Sequence, residues 1–146
     1  MYKHILIATD GSDLARKGVD HGLSLAKSLR AKVIVVTVTE PFPIYVGEGW
    51  ALGPGDLERY DADQVKFAQQ LLEPIKASAE KFGVTCETRH VPNRRPAEAI
   101  LDMAAEEGCS LIVMASHGRR GLGRLLLGSQ TGEVVGRSSV PVLVVR

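Results

Sequence analysis

The chain has little cysteine and no long apolar run, and both shortages narrow what it can be. Its two cysteines, Cys86 and Cys109, form no Cys-x-x-Cys pair and fall in apolar, core-like or strand-like surroundings. They read as buried thiols in a reducing compartment, not as a redox or metal pair. No apolar stretch approaches the ~20 residues that span a bilayer. The opening Met1-Tyr2-Lys3-His4 leads straight into an apolar strand pattern without signal-peptide character. An excess of one charge is also missing, with 18 Lys and Arg against 17 Asp and Glu and a net charge of +1. That balance gives no electrostatic reason to bind nucleic acid or a membrane surface. The expectation is a cytoplasmic protein whose partners are neither nucleic acid nor membrane. At 146 residues it has one domain's length, enough to bury roughly two-thirds of the unfolded surface.

Several motifs are missing as well. Without G-x-x-x-x-G-K-[ST] there is no P-loop, and neither H-E-x-x-H nor G-x-S-x-G occurs. Gly121-x-Gly123 lacks the third glycine of the dinucleotide fingerprint and follows the fourth strand pattern, not the first. Asp10 has no acidic neighbour of the kind a phospho-acceptor site uses. His4, His21, His90 and His117 are scattered, without metal-ligand spacing. No nucleophile–base pair is evident, so no catalytic residue and no direct metal ligand is expected.

What is present is an alternation. The runs at Ile5–Ala8, Val33–Val36, Leu111–Met114 and Val140–Val145 are apolar at successive positions, which suits strands buried on both faces. Val84–Val91 alternates Val84, Cys86 and Thr88 with Thr85, Glu87 and Arg89, a half-wet strand suited to a sheet edge. A helix after Ser12, its expected N-cap, puts Leu14, Gly18, Leu25 and Leu29 near one face, and Gly18 and Gly22 allow a close approach to the sheet. A second helix is expected from Ala62 to Phe82, kinked or broken by Pro74 near Glu73. A third runs from Pro96 to Glu107 with Ala97, Ile100, Leu101 and Ala104 inward. A fourth begins near Ser129, with Thr131, Val134, Val135 and Ser138 on one stripe. The order β-α-β-α-β-α-β-α-β implies right-handed crossovers, a mainly parallel sheet and helices on both faces. The proline- and glycine-rich excursion from Pro41 to Asp61, with Tyr45 and Trp50, is long for a compact domain; a lid, a partner surface and a disordered loop are all open readings.

Ligands of open α/β sheets bind at the carboxyl ends of the strands, and two segments fall there. In Ala8-Thr9-Asp10-Gly11-Ser12, Asp10 is either a turn acid or a partner for a ribose hydroxyl or a magnesium-bound water. In Met114–Ser129, Gly118 lets backbone amides approach an anion, and Gly128-Ser129 opens a helix whose free amides form an anion site. Ser129 and Thr131 add hydroxyls, and Arg119, Arg120 and Arg124 add charge. The competing reading is a connecting loop with solvated arginines. His117 suits either a phosphate contact or a hydrogen bond within the loop.

With these segments placed, the whole chain resembles the universal stress protein family. The likeness rests on Ile5–Ser12, on Met114-Ala115-Ser116-His117-Gly118, on the nine residues between Gly118 and Gly128-Ser129, and on the closing Ser139–Val145. It implies a Rossmann-like five-stranded sheet of order 3-2-1-4-5 and, for the ATP-binding branch, a G-x-x-G, nine residues, G-[ST] pattern. Ala115 replaces the first glycine of that pattern. By resemblance, Ala8, Thr9 and Asp10 line the nucleoside, Val38 touches adenine, and Met114 and Ala115 flank the ribose. Gly118, Arg119, Gly128, Ser129, Gln130 and Thr131 surround the phosphates. The resemblance thus implies ATP, with or without Mg2+ held through a water on Asp10, a role in stress response or signalling, and at most slow ATP hydrolysis. It also implies a homodimer through Val140–Val145, which would cover an apolar edge strand. The alternative is a nucleotide-free dimeric interaction module, in which Ala115 marks a lost pocket and Pro41–Asp61 meets a protein partner. A related adenylating or phosphoryl-transfer enzyme would need a signature such as H-x-G-H, which the chain lacks.

Overall fold

A computed structural model describes residues 1–43, 53–118 and 127–146. Five strands alternate with four helices: β1 (His4–Ala8), α1 (Asp13–Leu29), β2 (Lys32–Val38), α2 (Asp56–Phe82), β3 (Cys86–Val91), α3 (Pro96–Glu106), β4 (Leu111–Ala115), α4 (Ser129–Arg137) and β5 (Val142–Val145). The strands form one sheet of order β3-β2-β1-β4-β5, and every pairing is parallel. β1 sits at the centre, with Ile5, Leu6 and Ile7 opposite Val33, Ile34 and Val35 on one side and Leu111, Ile112 and Val113 on the other.

Side chains of these strands alternate between two cores. Ile5, Ile7, Val33, Val35 and Val113 pack under α1 and α2, while Leu6, Ile34, Val36, Ile112 and Met114 pack under α3 and α4. Burial on both faces explains why the strand sequences carry no polar alternation. β3 is the wet edge, with Glu87 and Arg89 exposed and paired at 3.0 Å. Both thiols are buried, and burial pushes the Cys109 thiol up to about 11. Such a thiol stays protonated and unreactive at neutral pH.

Three helix expectations change. The buried face of α1 is Ala15, Gly18, Val19, Gly22, Leu23 and Ala26, while Leu29 is exposed and Leu14 and Leu25 are only half-buried. The reason is close packing: a methyl at Gly22 would lie 2.4 Å from Cδ1 of Ile7, so small residues fill the tightest part of the interface, with Val19 and Leu23 packed beside them and Leu14, Leu25 and Leu29 toward its margins. α2 begins at Asp56, not Ala62, and runs unbroken through Pro74. Gly53 N–H donates to Asp56 Oδ2 at 2.6 Å and starts the helix early. Pro74 is exposed, so water can serve the carbonyl it leaves without a donor. In α4 Thr131 and Val134 are buried, but Val135 is 44% exposed. Tyr45 and Trp50 lie outside the described residues.

Candidate functional site at the carboxyl ends of β1 and β4

The chain leaves β1 toward β2 on one side, whereas β4 leads to β5 on the other, so strand order reverses between β1 and β4. The loops leaving such a pair of strands must part to opposite faces of the sheet and leave a crevice between them. Both candidate segments arise there.

The first loop is tightly tied to itself. Thr9 N–H donates to Val36 O at 3.0 Å and so prolongs the sheet by one bond, and Thr9 Oγ1 accepts from Gly11 N–H at 3.3 Å. Gly11 has a φ of 84°, a left-handed conformation that favours glycine. Ser12 N–H donates to Asp10 Oδ1 at 2.9 Å, and Ser12 Oγ accepts from Ala15 N–H as the N-cap of α1. Asp10 is therefore a turn acid, as one of the sequence readings had it. Oδ2 faces the second loop: a methyl built on Gly118 would lie 2.6 Å from it. Gly118 has no positive φ. Contact with the Asp10 carboxylate, not backbone conformation, is what favours a glycine here.

The second loop folds back on β4. Gly128 N–H donates to Ser116 O at 2.8 Å, which brings the start of α4 against the end of the strand. A methyl on Gly128 would lie 3.2 Å from Ser116 O and 3.3 Å from His117 Cα, so this closure too requires a small residue. As the N-cap of α4, Gly128 offers no side chain to the first-turn amides. An α-helix has no internal partners for those N–H groups, and they carry the positive end of its dipole. Thr131 Oγ1 donates to Ala115 O at 2.8 Å and is buried, so its hydroxyl anchors α4 to β4. Gln130 Oε1 accepts from Ala97 N–H at 2.9 Å and anchors α4 to α3. Ser129 is exposed. Ser116 Oγ and His117 Nδ1 are 3.0 Å apart, and His117 Nε2 is buried with no hydrogen-bond partner among the described residues.

Ala8 ends β1 and Met114 precedes the last residue of β4, both within the α3/α4 core, and Val38 ends β2 partly buried against it. Ala115, at the first position of the glycine pattern, lies in β4 without a positive φ, so alanine is accommodated there without strain. By strand alternation its methyl points to the α1 side, opposite to Met114. The expected site residues thus converge on one end of the sheet, apart from Arg119, which lies outside the described residues. Three contacts join them: Asp10 with Gly118, Ser116 with Gly128, and Ala115 with Thr131. Ser116 and the side-chain role of Gln130 were missed from sequence. The spacing of Ser116 to Gly128 was visible, but nothing in it shows that a backbone carbonyl closes the loop.

A parallel α/β sheet of order 3-2-1-4-5, with a glycine turn and an uncapped helix at its switch point, defines a Rossmann-like domain. Comparison with known proteins narrows the class. The chain belongs to the universal stress protein family, whose sequence model matches residues 1–146. The Thermus aquaticus universal stress protein encoded in the QAH/OAS sulfhydrylase 3′ region is 37% identical over 147 residues, covering all of both chains. A universal stress protein solved in complex with cAMP superposes with a TM-score of 0.69 at 28% identity, over 99% of this chain and 97% of that one. The Archaeoglobus fulgidus universal stress protein solved in complex with dAMP gives a TM-score of 0.69 at 22% identity, over 99% and 98% of the two chains, a likeness of fold alone. Among the described residues, no helix is long and apolar enough to cross a membrane, and no cluster of three metal-ligating side chains occurs.

Proposed function

We propose that this chain binds an adenine nucleotide, ATP, at the β1/β4 switch point and acts as a nucleotide-responsive module in stress response or signalling. The observation that carries the reading is the start of α4, where Gly128 closes onto Ser116 and offers the first-turn amides no side-chain cap. Uncapped amides at a helix start suit phosphate oxygens. The cAMP and dAMP complexes of structural relatives support an adenine nucleotide as the ligand class.

In this reading the backbone N–H groups of Ser129, Gln130 and Thr131 hold phosphate, with Gly118, Gly128 and Arg119 beside them. Thr131 contributes its backbone, because its hydroxyl is committed to Ala115. Asp10, an acid, suits a ribose hydroxyl or a Mg2+-bound water and not a phosphate oxygen. Thr9, Ala8 and Val38 line the nucleoside side, with Met114 and Ala115 at the ribose. ATP held there would bridge the two loops, with its ribose toward Asp10 and its phosphates toward the start of α4. The reading gives ATP hydrolysis at most an incidental part. It includes a homodimer paired through Val140–Val145.

Thermal unfolding with and without Mg-ATP, with Mg-GTP as control, tests it. Ligand at about a hundred times its Kd adds roughly 2.7 kcal/mol, which for a domain of this size raises Tm by roughly 5–10 °C. A rise with ATP and none with GTP is expected. Equal curves with and without any adenine nucleotide would overturn the proposal and favour the nucleotide-free interaction module.

A further inference from the structure

We infer that Gln130 is a positioning residue that couples the start of α4 to the start of α3, with its backbone on the ligand side and its side chain on the neighbouring helix. The inference rests on the nucleotide reading of the α4 start and goes beyond it. α3 begins without a side-chain cap of its own, since its N-cap is Arg95 and makes no such bond, and Pro96 follows with no N–H to give. The first N–H of α3 is therefore that of Ala97, a fully buried residue. It is satisfied from another helix, by Gln130 Oε1 at 2.9 Å. A buried amide left without this acceptor would be costly, so the bond is a requirement of α3 and not a chance contact.

The chemistry of the side chain supports the division of labour. A phosphate oxygen is an acceptor, and the acceptor end of the Gln130 amide is already engaged by Ala97. The residue's own backbone N–H, in the uncapped first turn of α4, is the group suited to an anion. Thr131 fixes the next residue to Ala115 O, so this turn has little freedom to move without moving Gln130 as well. One turn further along α4, Glu133 reaches Arg95 at 2.9 Å and braces the same two helices at the surface. An anion that draws in the first-turn amides of α4 therefore acts on the Ala97 bond. By linkage, whatever holds that bond strengthens the anion site by the same factor.

The test is an amide-resolved titration of the full chain with Mg-ATP, read by NMR shifts and hydrogen exchange. In the wild type, the amides of Ser129 and Thr131 shift and the Ala97 amide shifts with them and exchanges more slowly. In Gln130→Met the α4 amides still respond, Kd rises by no more than roughly tenfold, about the worth of one hydrogen bond, and the Ala97 response is lost. Gln130→Glu restores an acceptor of equal reach and returns the Ala97 response, with a weaker Kd because a carboxylate now stands near the anion. Three results would overturn the coupling: an Ala97 response that persists in Gln130→Met, an Ala97 amide silent in the wild type while α4 responds, or a loss of affinity in Gln130→Met beyond roughly a hundredfold, which would make the side chain a direct ligand contact. A wild-type chain in which neither set of amides moves overturns the nucleotide reading itself, and the coupling falls with it.

Discussion

His90 lies near the wet edge of the sheet, with Nε2 2.8 Å from Thr39 Oγ1. Burial holds its imidazole below the ordinary value of 6.5. Above pH 6.5 both folded and unfolded chains carry it neutral, so it does not affect stability. As pH falls through 6.5 the unfolded chain takes the proton first, and stability declines until the folded imidazole also titrates. Urea melts on either side of pH 6.5 should show this decline, and His90→Gln should reduce it; an identical pH profile in the variant would exclude His90 as its source. The residues of the candidate site were legible to different depths. Glycine at 118 and 128 and the acid at 10 could be picked out, because turns and close approaches leave few residue types to choose from. What each glycine makes room for could not be read. Gly118 accommodates a carboxylate that arrives from the other end of the chain, and Gly128 a carbonyl. The commitments of Thr131 and Gln130 to Ala115 and Ala97 were hidden for the same reason, since a hydroxyl or amide in sequence does not reveal its partner.

At the scale of elements, α1 offers a controlled comparison. A methyl at Gly18 would meet Ala115 N at 3.5 Å, an ordinary contact, whereas one at Gly22 would meet the Ile7 side chain at 2.4 Å. Gly18→Ala is therefore expected to gain roughly 0.5–1 kcal/mol from the lower entropy of the unfolded chain. Gly22→Ala is expected to lose roughly 1–3 kcal/mol through overpacking. Denaturant unfolding of the two variants checks this, and equal effects would mean that α1 does not press on β1 as described. The same geometry explains why helix faces were harder to read than strands. Strand identity lies in runs of β-branched residues, which need no partner to be recognised. The buried face of α1 mixes Ala15, Gly18, Gly22 and Ala26 with Val19 and Leu23, so it carries a weaker apolar signal than a stripe of leucines. The start of α2 was visible in Pro54-Gly55-Asp56 but was masked by the loop-like composition before it.

At the scale of the whole sheet, β5 is an edge strand. Pro141 O and Val145 O accept from Ile112 and Ser116 N–H on β4, so by alternation the N–H groups of Val142 and Val144 point away from the sheet. The strand also leaves Leu143 38% exposed. An apolar edge with outward-pointing donors is a template for another strand, in keeping with the proposed homodimer. Val144→Pro removes an outward donor while sparing those that face β4. It should convert a dimeric mass in light scattering to a monomeric one, with circular dichroism unchanged. A wild type that is already monomeric at micromolar concentration would end that proposal. The alternation of strands and helices could be read from the chain, while the strand order came from family resemblance, because local periodicity does not say which strands lie side by side.

The meeting of Asp10 and Gly118 has a consequence for how such a chain can change over time. The carboxylate that leaves β1 already occupies the space where a side chain at position 118 would begin, so neither position drifts freely. A side chain gained at position 118 would displace that carboxylate and disturb the turn it holds with Ser12, so a change at one position is felt at the other.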